Sequence, residues 1–148
     1  MIRVHNTMGR QLVDFVTREE GKVGIYVCGP TVQSEPHVGH GRYAVAFDVI
    51  RRYLVWRGLD VTYVSNITDV EDKIIAAAEE AGQPVEELAV RMAERFSTSF
   101  KRLGVLAPDI EPKATEHIPE MLDLIARLID RGLAYARDGD VYFSVKTL

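Results

Sequence analysis

The chain has 148 residues, 47% of them hydrophobic and 27% charged, which is ordinary for a globular protein able to bury about two-thirds of its extended-chain surface. Its formal net charge of −4 excludes a dedicated nucleic-acid domain with a broad basic footprint, and no apolar run approaches the roughly 18 residues of a membrane-spanning helix. Met1 to Asn6 lacks the apolar core of a secretory signal, so a cytoplasmic protein without a membrane partner is expected, and a single cysteine, Cys28, excludes an internal disulfide.

Met1 to Val16 alternates weakly around Asn6, Thr7 and Gly9 and reads as a leading strand or extended arm ending near Phe15. After the turn Glu19-Glu20-Gly21-Lys22, Val23 to Cys28 reads as a strand. Its consecutive apolar residues predict burial on both faces, as in a central parallel strand. Gly29-Pro30 breaks it. From about His40 to Leu54 the chain reads as a helix, with Ala46, Phe47, Ile50 and Leu54 on its apolar side and Gly58 as its stop. Asp60 to Ser65 is a second strand. Strand, helix and strand over this length predict a right-handed βαβ unit, and therefore an α/β, Rossmann-like fold with a parallel sheet.

Thr68 and Glu71 have the spacing of a capping box for a helix running to Ala81 and stopped by Gly82. Pro84 opens the next helix, with Glu86 and Glu87 in its first turn and Leu88, Met92, Phe96 and Phe100 along one face. Leu103 to Thr115 is turn-rich. Pro119 starts a helix whose Leu122, Ile125, Leu128 and Ile129 form an apolar face, and the Asp138-Gly139 turn predicts a C-terminal hairpin before the chain stops at Leu148. No repeat or low-complexity tract divides the chain, so a single domain over residues 1–148 is expected. Arg51 and Arg52 read as a solvated helix face, Tyr53 with Trp56 as core or a subdomain contact, Phe96 with Phe100 as core, and Asp69, Glu71 and Asp72 as an acidic run favoured by a helix dipole.

The chemistry concentrates between Val23 and Arg42. In an α/β protein ligands bind beyond the carboxyl end of a strand, and the following helix offers unpaired N–H groups to an anion there. Gly39 and Gly41 let a ligand approach the backbone, while His37 and His40 place two imidazoles at the helix entry, suited to donating hydrogen bonds to phosphate oxygens. The spacing is neither a dinucleotide fingerprint nor a P-loop. On the residues alone, Cys28 is a small apolar side chain, a reactive thiol or a metal ligand. The histidines are phosphate donors or helix-entry residues satisfied by backbone carbonyls, and Thr68 is a cap or a pocket residue.

His37-Val38-Gly39-His40 resembles the HIGH signature of class I aminoacyl-tRNA synthetases. Tyr26-Val27-Cys28-Gly29-Pro30-Thr31-Val32, Phe47-Asp48-Val49 and Asn66-Ile67-Thr68-Asp69-Val70-Glu71-Asp72-Lys73 look like the N-terminal catalytic segment of the cysteinyl-tRNA synthetase family, and Glu111 to Pro119 continues the similarity. The resemblance implies that His37, Gly39 and His40 bind ATP, accompanied by Mg2+, and that His37 and His40 stabilise the transition state as pyrophosphate leaves. It implies that Gly29, Thr31 and Thr68 line the amino-acid pocket. It also implies that Cys28 is a zinc ligand, the zinc gripping the substrate thiolate and so rejecting serine. The family's other zinc ligands, a Cys, a His and a Glu, belong to a later part of the catalytic domain. One zinc ligand is therefore expected here, not a set built from Cys28, His37 and His40, and tight zinc binding is not expected of it.

The reaction implied is attack of the L-cysteine carboxylate on the α-phosphorus of ATP, then transfer of the cysteinyl group to tRNA(Cys). The second class I signature, the later zinc ligands, the tRNA-contacting helical region and an anticodon-binding domain have no counterpart in the chain. It is expected to be weakly active or inactive alone, and to need a C-terminal half, supplied in trans if the enzyme is split. Thr31-Val32-Gln33-Ser34 departs from the aromatic-acidic pair of many relatives, which keeps the cysteine-adenylating ligase of mycothiol biosynthesis as an alternative. Gly41-Arg42 and Asp72-Lys73 favour the synthetase over it. A nucleotide-binding module without turnover is the non-enzymatic alternative.

Overall fold

The computed structural model describes residues 2–147, so expectations touching Met1 and Leu148 lie outside them. The amino-terminal arm is a hairpin. β1 (Arg3–Asn6) pairs antiparallel with β2 (Gln11–Asp14), and Asn6 Oδ1 accepts from Met8 N at 3.0 Å, an Asx turn that folds the arm back on itself.

β3 (Lys22–Val27) and β4 (Asp60–Ser65) form the expected parallel pair, in register from Lys22 opposite Asp60 to Val27 opposite Ser65. They are joined by α1 (Val38–Trp56), after which Gly58 adopts a φ of 84° that releases the chain into β4. The α/β, Rossmann-like unit is thus present, with the histidine pair at its strand-to-helix turn.

β3 is not buried on both faces as its apolar run predicts. Val23 and Val27 are buried, whereas Gly24 is exposed and Tyr26 is 67% exposed, and among the described residues β4 is the strand that pairs with β3. The middle position belongs to β4. On its other side Ser65 N donates to Ile110 O at 3.1 Å, and just beyond the strand Ile67 N donates to Pro112 O at 2.8 Å. The turn-rich stretch thereby becomes an extended third tier, with Pro108 and Pro112 keeping it from a regular ladder.

α1 also fastens this tier. Arg51, read from sequence as solvated, has a side chain only 12% exposed; its Nη2 pairs with Asp109 Oδ1 at 2.6 Å and its Nη1 donates to Ala107 O at 2.7 Å. Arg52 donates to Gly104 O at 2.8 Å and to Asp48 Oδ2 at 2.6 Å. Trp56 is 77% exposed and lies against Tyr53, which excludes the core position of the two expected for it.

α2 (Asp72–Glu80) and α3 (Val85–Arg102) pack together, and Ile74, Ala78, Leu88, Ala89, Met92 and Phe96 form one buried cluster with Val32 and Ile67. Each large side chain buried there contributes about 1.5–3 kcal/mol. Phe100 is partly buried against the cluster. The capping box on Thr68 is not formed. Thr68 is held extended by a parallel bridge to Thr31, so the helix starts later, with Glu71 as N-cap accepting from Lys73 N at 3.1 Å.

A 3-10 turn, Ala114–His117, leads into α4 (Ile118–Asp130), whose apolar face includes the exposed Leu122 and Ile129. β5 (Ala134–Arg137) and β6 (Asp140–Phe143) make the predicted hairpin, turned by Asp138 at φ 54° and Gly139 at φ 92°. No helix among the described residues is long and apolar enough to cross a membrane.

Candidate functional site

Residues 28–37 cross the carboxyl ends of β3 and β4, the position at which open α/β sheets bind ligands. Pairing with the extension of β4 fixes this loop. Thr68 N donates to Pro30 O at 3.1 Å and Val32 N to Thr68 O at 3.2 Å, while Val32 itself is fully buried. Asn66 closes the arrangement: its Oδ1 accepts from Gly29 N at 2.9 Å and from the Tyr26 hydroxyl at 3.1 Å, and its Nδ2 donates to Thr68 Oγ1 at 3.3 Å. Sequence reasoning assigned Asn66 no role of its own. The available signal was a polar residue directly after the strand that ends at Ser65.

Gly29 is required sterically. A Cβ there would run into the Asn66 carbonyl oxygen, 2.8 Å from the carbonyl carbon and 3.0 Å from Ser65 Oγ. Gly39 is constrained differently, because a Cβ would lie 2.9 Å from Cε1 of the His37 ring. Glycine at 39 lets that ring fold back over the helix entry.

The two histidines cap α1 reciprocally. Gly39 N donates to His37 Nδ1, and His37 N donates to His40 Nδ1, both at 3.1 Å. A neutral imidazole accepting at Nδ1 carries its proton on Nε2, so each ring keeps an Nε2–H donor. Among the described residues neither Nε2–H has a protein acceptor. The ring centroids are 3.9 Å apart, and Phe96 meets His40 edge-on at 4.8 Å. Burial first, and then the neighbouring His37, push the His40 pKa below its ordinary 6.5, which keeps that ring a neutral donor.

The pair stands between two openings. His40 shares a cavity of about 290 Å³ with Cys28, Gly29, Thr31, Gln33 and Lys73, while His37 lines an adjoining groove of about 760 Å³ with Gly41, Arg42, Phe100 and Leu103. Of the residues expected in the amino-acid pocket, Gly29 and Thr31 are in the cavity wall. Thr68 is tied to the same loop but does not line the cavity, its hydroxyl being held by Asn66. Gly39 contributes its N–H to the histidine cap.

The metal expectation is corrected. Cys28 is an exposed free thiol, and among the described residues no group of three or more His, Cys, Asp or Glu side chains is arranged to hold a metal ion. Four-coordinate zinc needs several such donors, and a single thiolate does not supply them. His37 and His40 are unsuited to complete the set, because each already accepts a hydrogen bond at Nδ1. Neither zinc at Cys28 nor a site for Mg2+ is supported by this donor set.

Residues 14–148 match the family model described as tRNA synthetases class I (C) catalytic domain. A cysteine–tRNA ligase of Desulfitobacterium hafniense is 51% identical over 147 residues, covering 99% of this chain and 31% of that protein. One from Streptomyces griseus is 48% identical over 147 residues, covering 99% and 32%. The chain therefore spans just under a third of the length of these curated relatives. Among solved structures, Mycobacterium tuberculosis methionyl-tRNA synthetase in complex with methionyl-adenylate aligns with a TM-score of 0.68 at 26% identity, covering 77% of this chain and 22% of that one. The Agrobacterium radiobacter K84 agnB2 LeuRS ternary complex aligns at 0.69 and 21% identity, covering 82% and 16%, a likeness of fold.

Proposed function

The chain belongs to the class I (C) tRNA synthetase catalytic-domain family, and on that premise we propose that residues 1–148 are a single domain forming the N-terminal catalytic segment of a cytoplasmic cysteine–tRNA ligase. Its substrates are ATP, L-cysteine and tRNA(Cys), and a C-terminal segment of the enzyme, in cis or in trans, completes its site. The reaction is attack of the cysteine carboxylate on the α-phosphorus of ATP with loss of pyrophosphate, followed by transfer of the cysteinyl group to the tRNA.

The observation that carries this reading is the pair of Nε2–H donors on His37 and His40 between a small cavity and a larger groove. In this reading the cavity, with Gly29 and Thr31 in its wall and Thr68 bracing it, takes the amino acid, and the groove takes the nucleotide. ATP phosphates then lie against the histidines at the junction, with Gly39 leaving room at the helix entry. Negative charge accumulates on the phosphoryl oxygens as pyrophosphate departs. Two donors fixed in advance by the helix cap stabilise that charge without reorganising. Because Nδ1 of each ring is already occupied, the rings cannot rotate away without breaking the cap.

Cysteine-dependent ATP–pyrophosphate exchange tests the proposal, using the chain alone and the chain mixed with the remaining segment of a cysteine–tRNA ligase. Exchange is expected in the mixture. His37→Ala and His40→Ala should each lower kcat by about 10²–10³-fold with little change in the KM for cysteine. Silence in the mixture, with nucleotide still bound, would replace the enzyme reading with that of a nucleotide-binding module.

A further inference from the structure

Building on the reading just proposed, we infer that Phe96 is a positioning residue for His40. Its ring, brought in by α3, keeps water from the imidazole and thereby holds it in the cap from which Nε2–H is donated.

The cap depends on the protonation state of the ring. His37 N donates to His40 Nδ1 at 3.1 Å, which requires a lone pair on that nitrogen. A protonated imidazole carries hydrogen on both nitrogens, so its Nδ1 can no longer accept, the bond to His37 N is lost and the ring is freed to turn. Whatever keeps His40 neutral therefore also keeps it in place.

The helix entry offers little shielding of its own, since His37, Val38 and Gly39 are all exposed. Shielding comes from α3. Phe96 is buried in the cluster that joins α2 to α3, and its ring centroid lies 4.8 Å from that of His40 at an interplanar angle of 76°. The two helices approach closely at this level, for a Cβ on Gly41 would lie 3.0 Å from Leu103 Cδ1, and Phe100 meets Tyr43 at 6.3 Å. Burial is also the larger of the two causes that lower the pKa of His40 below 6.5, ahead of His37. The titratable groups around His40 are His37 and Tyr43 on its own helix, Cys28 just beyond β3, Lys73 from α2, and Arg95 from α3, the last paired with Glu35 at 3.7 Å. A change at Phe96 leaves all of them in the chain, so its effect on His40 isolates the apolar ring. Packing of the core does not by itself require the contact: Leu88, two turns earlier on α3, is buried in the same cluster roughly 12 Å along the helix.

An imidazole NMR titration of the 148-residue chain reads the effect directly, because long-range proton–nitrogen spectra report both the pKa of His40 and which nitrogen carries its proton. Phe96→Leu and Phe96→Met, which keep the core apolar, should raise the His40 pKa toward 6.5 and weaken its preference for the Nε2–H tautomer. Leu88→Ala, which opens the same core further along α3, should change neither. At pH 6 a histidine of pKa 6.5 is only about one-quarter neutral. In the mixture with the remaining ligase segment, kcat/KM for ATP of the Phe96 variants, relative to wild type, should therefore fall up to about fourfold further at pH 6 than at pH 8. An unchanged His40 titration in both Phe96 variants, or an equal change in Leu88→Ala, overturns the inference. A shifted titration with an exchange pH profile like that of wild type refutes the positioning role and leaves the enzyme reading intact. If no mixture shows exchange, the enzyme reading falls, and the titration alone decides whether Phe96 sets the state of His40.

Discussion

Substituting Gly29 by alanine should destabilise the fold far more than the same change elsewhere in β3 and its loop. The new Cβ would collide with the Asn66 backbone carbonyl, and because backbone cannot rotate out of the way, the carboxyl ends of β3 and β4 must part. Overpacking of this kind costs about 1–3 kcal/mol. Parting also lengthens the 2.9 Å bond from Gly29 N to Asn66 Oδ1, worth about 1 kcal/mol more. The total, about 3 kcal/mol, corresponds to a fall in Tm of roughly 6–12 °C for a chain of this size. Thermal and urea unfolding followed by circular dichroism would measure it. Gly24→Ala is the internal control, since nothing lies within 4 Å of a Cβ there, and it should change stability by less than about 0.5 kcal/mol. Equal stability of the two variants would refute the argument that close approach at Asn66 dictates glycine at position 29.

Two further outcomes follow from the site and its support. Burial and the neighbouring His37 lower the pKa of His40 below 6.5, so the unfolded chain binds the extra proton first as pH falls. This contribution is intact above about pH 6.5 and is lost progressively as pH drops toward the folded-state value; His40→Gln should flatten that part of the stability–pH curve, and an unchanged slope would count against it. Arg51→Met leaves Asp109 without its 2.6 Å partner beside the Tyr63 N–H and should cost roughly 2 kcal/mol, discounted because Asp109 remains 40% exposed. Arg127→Met, whose pair with Asp123 is exposed on both sides, should cost under about 1 kcal/mol, and urea denaturation showing the two variants equal would contradict the anchoring role given to Arg51.

Local chemistry wrote much of this protein into its sequence. Gly58, Gly82 and Gly132 stop helices because each takes a positive φ at a C-terminal end, and Asp138-Gly139 closes a hairpin for the same reason. The fourth-residue spacing of Leu88, Met92 and Phe96 fixed the buried face of α3, and the histidines announced the strand-to-helix turn between β3 and α1. What depended on partners distant in sequence was not legible. Apolar residues in β3 do not reveal whether a second strand or solvent lies beyond them, and Tyr26 proves exposed. Arg51 looks like any surface arginine until Asp109 arrives from 58 residues away. Thr68 has the spacing of a cap, but pairing with Thr31 holds its backbone extended and moves the helix start to Asp72. The zinc expectation failed for the same physical reason, since a metal shell is a property of side chains gathered in space and one cysteine implies nothing about its neighbours. Sequence named the histidines as donors. The local cap of α1 occupies both Nδ1 atoms and leaves each ring its Nε2; only the tertiary structure, by packing distant segments around the helix entry, set the pair between two openings.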